Sequence, residues 1–182
     1  MASKARRIIP SVFHGGVPLY SQFLDVPSRP WKRRACGAVA LRSMLMYWNI
    51  SISASQLIRE GQHLNAFVPG IGWTHKGLAQ LAKRHGLYGK NFDWAKKTPN
   101  DAFHSLMTHL RKYPVIASIH HDFKTKNTGH LIVLTGYNTS TIFYNEPASK
   151  TRKNITQHIS LSRFLYGWKR RIIVVKQNKR TT

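Results

Sequence analysis

The run Cys36-Gly-Ala-Val-Ala-Leu-Arg-Ser-Met-Leu-Met-Tyr-Trp carries the clearest structural pattern in this sequence. Its larger apolar residues recur at the three- and four-residue spacing of one helix face: Leu41, Met44, Leu45 and Trp48. The run therefore predicts an amphipathic helix packed against a core, and Asn49 can end it. Cys36 is then expected at the helix N-terminus.

Three further helices are predicted farther along the chain, each behind a Ser or Thr that can cap its first turn. They span residues 53–62, 74–85 and 99–112, with Ser53, Thr74 and Thr98 as the capping residues. Pro99 suits a first helical position, and Gly86 suits the residue just past the third helix.

After Pro114 the pattern changes to short β-branched and aromatic runs: residues 115–119, 131–135, 141–144 and 172–175. These runs predict strands. The connection at residues 136–140 has a length typical of an antiparallel hairpin, and a short helix is expected from about Ser160. N-terminal helices followed by a mostly antiparallel sheet make the fold class α+β.

Length and composition fit one domain with a substantial core, since the 182 residues are 42% hydrophobic. The 29 Lys and Arg residues against 6 Asp and Glu residues give a formal charge of +23. This charge excludes an ordinary near-neutral enzyme surface and indicates acidic partners. The cations are densest at the two ends. We therefore expect a basic extension at residues 1–16, a domain at 17–175 and a basic tail at 176–182.

The single cysteine excludes an internal disulfide and any zinc site built on several thiolates. We expect no cofactor and no metal. No apolar run approaches the length of a membrane-spanning helix, and the basic N-terminal stretch lacks the apolar core of a signal peptide. These features predict a cytoplasmic protein, with export by a route that uses no such signal as the alternative.

Cys36 is a candidate nucleophile because a helix N-terminus stabilises a thiolate. Gly37 is expected to leave space for a substrate carbonyl. His130, at the start of an apolar strand, is a candidate proton acceptor, and the Gln22 amide is a candidate oxyanion donor. The structural alternatives are a small buried thiol, a hydrogen-bonded core imidazole and an ordinary loop amide. The adjacent His120 and His121 are expected to face solvent at a strand end.

Asn145 and Glu146 end the strand that follows the His130 strand. A hairpin would bring their side chains beside the imidazole, where a carboxylate or an amide could orient it. A plain turn before Pro147 is the alternative interpretation.

Four segments, in this order, resemble the C39-like cysteine peptidases of papain-like fold, particularly their stand-alone branch. They are Val-Pro-Leu-Tyr-Ser-Gln ending at Gln22, Ala-Cys-Gly-Ala around Cys36, Gly-His-Leu-Ile-Val-Leu-Thr-Gly-Tyr-Asn from Gly129, and Ile-Phe-Tyr-Asn-Glu-Pro ending at Pro147. The resemblance covers residues 17–168, which is most of the chain.

This resemblance implies a thiol-dependent hydrolase of a peptide or related amide bond. Cys36 would be its nucleophile, His130 its general base and acid, and Gln22 its oxyanion donor. The family usually has Asn-Asp-Pro where this chain has Asn145-Glu146-Pro147, so either Glu146 or Asn145 could orient the histidine. The family also commonly has Pro after Cys-Gly, followed by a small hydroxyl residue, whereas Ala and Val follow here.

The charge supports a second hypothesis, in which the fold is a basic module on RNA or a ribonucleoprotein with little or no catalysis. Candidate polyanion-binding residues flank aromatic side chains that could stack on bases: Arg29, Lys32, Arg33, Arg34, Lys169, Arg170 and Arg171. The alternatives are an acidic peptide or protein substrate, or a surface charge without a specific partner.

Overall fold

The computed structural model describes residues 11–178. Its helices are α1 (Cys36–Tyr47), α2 (Ala54–His63), α3 (His75–Arg84), α4 (Pro99–Leu110) and α5 (Leu161–Gly167). Its strands are β1 (Val12–Phe13), β2 (Phe67–Val68), β3 (Gly72–Trp73), β4 (Tyr88–Asp93), β5 (Val115–His120), β6 (Gly129–Tyr137), β7 (Thr141–Asn145), β8 (Thr156–Ser160) and β9 (Trp168–Lys176).

A seven-stranded antiparallel sheet forms the centre of the fold, in the order β4-β9-β5-β6-β7-β8, with β1 paired to β6. The central strands are apolar on both sides because helices cover both faces of the sheet. Helices α1, α2 and α3 pack with Leu131 and Val133 on one face, and α4 and α5 pack with Ile132 and Leu134 on the other. The predicted α+β class is confirmed.

The predicted helix boundaries are confirmed to within a few residues, and the capping side chains explain them. Ser53, Thr74 and Thr98 each accept a hydrogen bond from a first-turn backbone N–H. Helix α1 differs, because its N-cap is Ala35, which has no side-chain oxygen to accept such a bond. The first turn of α1, where Cys36 lies, therefore keeps N–H groups that no capping side chain satisfies.

Sequence patterns missed β4, β8 and the small β2–β3 hairpin. Strand β4 lacks the β-branched residues that mark a strand, and β8 is a largely exposed edge. Strand β4 lies between α3 and α4 and pairs with β9, so one strand of the central sheet precedes the last of the four predicted N-terminal helices. Strand pairing, rather than local propensity, makes these segments extended.

The predicted domain boundaries stay predictions. Within the predicted extension at residues 1–16, β1 pairs with β6, while residues 1–10 lie outside the described part of the chain. Residues 179–182 of the predicted tail also lie outside it. Among the helices of residues 11–178, none is long and apolar enough to cross a membrane.

Candidate active site

Cys36 is the first residue of α1 and lies half-buried at the edge of a cleft between that helix and the sheet. The indole of Trp73 fixes this end of the helix, because its Nε1 donates to the backbone oxygen of Arg34 at 2.7 Å. The same indole covers Gly37, where an added Cβ would lie 2.5 Å from Trp73 Cγ. The expectation that Gly37 leaves space for a substrate is therefore wrong: Trp73 fills that space.

His130 is the second residue of β6 and is 5% exposed. Helix α1 packs on β6, and this packing brings the imidazole against the thiol of Cys36. The Nε2 atom of His130 lies 2.6 Å from Glu146 Oε1. Because Nε2 faces the carboxylate, Nδ1 is the nitrogen left to interact with Cys36.

Glu146 follows β7 and places its carboxylate behind the imidazole. Oε1 of Glu146 also accepts a hydrogen bond from the backbone N–H of Ala148 at 2.7 Å. This second hydrogen bond folds the Glu146 side chain back onto the turn that follows it and fixes the carboxylate there. The extra methylene of Glu, compared with Asp, thus still allows a hydrogen bond to His130.

The pKa of His130 is raised to about 10. Burial alone would lower this pKa, because it disfavours the charged ring. The hydrogen bonds and negative charges of Cys36 and Glu146 outweigh burial. The site therefore favours an imidazolium between a sulfur and a carboxylate, which is the charge arrangement a thiolate nucleophile requires.

Asn145 takes a different position. It pairs with Val133 in the β6–β7 ladder and is buried, and its Nδ2 has no hydrogen-bond partner among the described residues. It forms no hydrogen bond with His130. The structure therefore brings Glu146, and not Asn145, to the imidazole.

Gln22 is held on the same corner of the fold as Glu146. Its backbone N–H donates to Pro147 O at 2.7 Å, and Ser21 Oγ donates to Ser149 O at 2.5 Å. The Gln22 side chain is buried, and its Oε1 has no partner in residues 11–178. Gln22 does not line the cleft that contains Cys36 and His130.

The cleft has a volume of about 610 Å³. One wall is the β2–β3 hairpin with Trp73, and the other is formed by the ends of β5, β6 and β9. Four of the seven predicted polyanion-binding residues line it: Arg33, Arg34, Lys169 and Arg171. The other three do not: Arg29 lies in an exposed turn, Lys32 donates to Phe23 O at 2.8 Å, and Arg170 lines a neighbouring hollow. Nucleic-acid binding stays a prediction.

Two histidines near the site were not predicted. The side chain of His121 is 44% exposed, as expected for a strand end, and its ring also packs edge-on against His130, with ring centres 5.1 Å apart. His75 lines the cleft, and its pKa is lowered by burial and then by the positive charge of Arg171. Neither contact could be found from sequence, because each depends on how distant segments pack.

Solved structures with the same fold are peptidases. A protein from Bacillus anthracis assigned as a C39-like peptidase aligns over 94% of this chain and 100% of its own, with 19% identity and a TM-score of 0.69. A double glycine motif protease from an AMS/PCAT transporter, solved with its leader peptide, aligns over 93% and 99%, with 17% identity and a TM-score of 0.63.

The peptidase domain of Streptococcus ComA, a bifunctional ABC transporter, aligns over 80% of this chain and 93% of its own, with 20% identity and a TM-score of 0.59. No curated protein sequence matches the chain significantly. The α+β architecture, with a cysteine helix packed on an antiparallel sheet, is the papain-like fold of these peptidase structures. The chain belongs to the Peptidase_C39 like family, whose profile matches residues 15–172.

Proposed function

We propose that this protein hydrolyses a peptide or related amide bond, with Cys36 as nucleophile and His130 as general base and acid. The observation that carries the proposal is the position of His130, which lines the same cleft as Cys36 and has its Nε2 atom 2.6 Å from Glu146 Oε1. An imidazole used only for core packing needs neither a thiol nor a carboxylate partner.

The reaction proceeds in two steps. The Cys36 thiolate attacks the carbonyl carbon, and the resulting tetrahedral intermediate expels the amine after His130 donates its proton to the nitrogen. A water molecule then attacks the thioester while His130 accepts its proton, and the acid product leaves. Glu146 stabilises the imidazolium, which is present before the first step and forms again in the second, and holds its orientation.

Gln22 is the proposed oxyanion donor. The side chain is buried and its Oε1 has no partner among the described residues; its amide N–H is the group that would donate to an oxygen that develops charge beside Cys36. The first-turn N–H groups of α1 are a second source of donors, because no capping side chain uses them. The hydrogen bonds from Ser21 Oγ to Ser149 O and from the Gln22 N–H to Pro147 O support a fixed position for this loop.

A substrate peptide is supported by the comparison with the double glycine motif protease, which was solved in complex with its leader peptide. The cleft beside Cys36 has a volume of about 610 Å³, which leaves room for part of a peptide chain. The direct test is a peptide-library cleavage assay, with products identified by mass spectrometry, run on the wild type and on Cys36→Ala. Cleavage by the wild type alone supports the proposal, and cleavage by neither or by both contradicts it.

A further inference from the structure

The cleft beside Cys36 is lined by cations from two separate parts of the chain. Arg33 and Arg34 come immediately before α1, and Lys169 and Arg171 come from β9 on the opposite wall. Among the described residues that line this cleft there is no Asp and no Glu. Two sequence-distant segments therefore converge on one positively charged site.

Most of this charge has no acidic partner in the part of the chain that the structure describes. Arg171 forms an ion pair with Asp93 at 2.8 Å, but no carboxylate of residues 11–178 forms an ion pair with Arg33, Arg34 or Lys169. Cations that stay unpaired in a cleft are available to an external anion, and their mutual repulsion is relieved when it binds.

Lys169 lies close to the reacting groups. A Cβ built on Gly129, the residue before His130, would be 3.3 Å from the Lys169 ammonium nitrogen. Arg34 lies two residues before Cys36, and its backbone oxygen is held by Trp73. The unpaired charges therefore line the same cleft as Cys36 and His130 rather than a remote surface.

We propose that the cleft selects peptides with acidic side chains beside the scissile bond, through Arg33 and Arg34 on one wall and Lys169 and Arg171 on the other. This inference rests on the proposed hydrolysis and names its substrate class. A carboxylate held by these cations positions the neighbouring carbonyl at Cys36, so recognition and chemistry share one cleft. The lowered pKa of His75, caused first by burial and then by Arg171, agrees with a positive potential there.

The aromatic side chains favour a peptide over a nucleic acid. Trp168 is 4% exposed and stacks on Phe164 with ring centres 5.4 Å apart. Trp31 packs against Phe67 and Trp73. The Trp168 indole is therefore not free to stack on a base, and the half-buried Trp31 indole already contacts two other rings, whereas base stacking supplies much of the affinity of single-stranded nucleic acids for proteins. Tyr166 is exposed but lies outside the Cys36 cleft.

Binding is tested separately from cleavage, in the Cys36→Ala variant. The probe is a fluorescein-labelled decapeptide with four Glu residues around a central Ala-Ala, compared by anisotropy with the same peptide carrying Gln. We expect the Glu peptide to bind at least about tenfold more tightly, as one charge-assisted hydrogen bond allows, and the preference to weaken with added salt. Equal binding of the two peptides overturns the proposal.

Substitutions of the cleft cations test whether these residues cause the preference for the Glu peptide. Replacing both Arg33 and Arg34 with Glu should abolish the preference for the Glu peptide, and Lys169→Gln should reduce it. Lys153→Gln is the matched control, because Lys153 is exposed and lies outside the cleft. A preference that survives the double replacement, or that falls equally in the control, overturns the proposal.

Two further outcomes separate this inference from the proposed function. Selective binding of the Glu peptide without cleavage of any peptide by the wild type refutes hydrolysis and keeps the acidic selectivity. Cleavage without a preference for Glu refutes only the selectivity.

A uridine oligonucleotide is included as a competitor. If it binds to the cleft while the Glu and Gln peptides bind equally, the cations serve a nucleic acid and the proposal is wrong.

Discussion

The Nε2 atom of His130 lies 2.6 Å from Oε1 of Glu146. His130 belongs to β6, whereas Glu146 directly follows the neighbouring strand β7. The same carboxylate oxygen accepts the Ala148 N–H, so it is held from two directions. A glutamate can therefore occupy a position where related peptidases usually have the shorter aspartate. The same imidazole lines the cleft beside Cys36, which makes His130 and Cys36 the centre of the proposed chemistry.

Removal of either reacting group should abolish hydrolysis. Cys36→Ala and His130→Ala are each expected to lower kcat/KM by at least about a thousandfold, because both side chains act in the transition state. Circular dichroism spectra should match the wild type, which shows that the fold is kept. A folded variant with near-full activity would refute the assignment of that residue.

The orienting residue is tested by a ranking of two neighbours. Glu146→Gln should reduce kcat more than Asn145→Ala, because only a carboxylate stabilises the imidazolium as well as fixing its orientation. The rates are compared well below the melting temperature of each variant, since Asn145 is buried and its loss can affect stability. A greater loss in Asn145→Ala would transfer the role to Asn145.

The protonation state of His130 gives a prediction independent of any substrate. Its raised pKa means that the ring stays charged at neutral pH, and Cys36→Ala or Glu146→Gln should each lower that pKa. NMR titration of ¹⁵N-labelled histidine measures this directly. A His130 that titrates near 6.5 in the wild type would contradict the hydrogen-bonded arrangement.

The raised pKa of His130 also makes the free energy of unfolding depend on pH. Because the folded pKa lies above the unfolded value of 6.5, the contribution of His130 to the free energy of unfolding is complete below about pH 6.5 and is lost as the pH rises through about 10. Comparison of urea unfolding of the wild type and Glu146→Gln across this range isolates the contribution of the pair.

Gly37→Ala tests the packing of Trp73 on the start of α1. The new methyl would meet Trp73 Cγ and Cβ, which cannot move without the Trp73 backbone, and overpacking of this kind costs about 1–3 kcal/mol. The better helix propensity of Ala offsets only about 0.5–1 kcal/mol. We expect a lower free energy of unfolding by urea. Gly15→Ala is the control, since nothing lies within 4 Å of its Cβ position. Equal stability of the two variants would contradict the packing.

The parts of the fold that sequence predicts well are those fixed by local chemistry. Ser53, Thr74 and Thr98 act through bonds within three residues, so the helix starts are readable from the sequence. Strand β4 is set by its pairing with β9, about eighty residues away in sequence, and no local pattern marks it.

The candidate site also has some features that the sequence predicts and others that it does not. Cys36 at a helix N-terminus and His130 at the start of a strand are readable, because each is an unusual residue at a definable position. The choice of Glu146 over Asn145 depends on the turn that brings Ala148 N–H to the carboxylate. The covering of Gly37 by Trp73 depends on the β2–β3 hairpin, which lies about thirty-six residues away and was not predicted.

The alkylation rate of Cys36 by iodoacetamide at about pH 6 tests the central claim most directly. Cys36 is the only cysteine of the chain, so mass spectrometry follows a single thiol. A thiolate held by the His130 imidazolium should react faster than a free cysteine peptide at this pH, and His130→Ala should remove that advantage. A wild-type rate equal to that of the free peptide, or a rate unchanged in His130→Ala, would contradict the proposed Cys36–His130 pair.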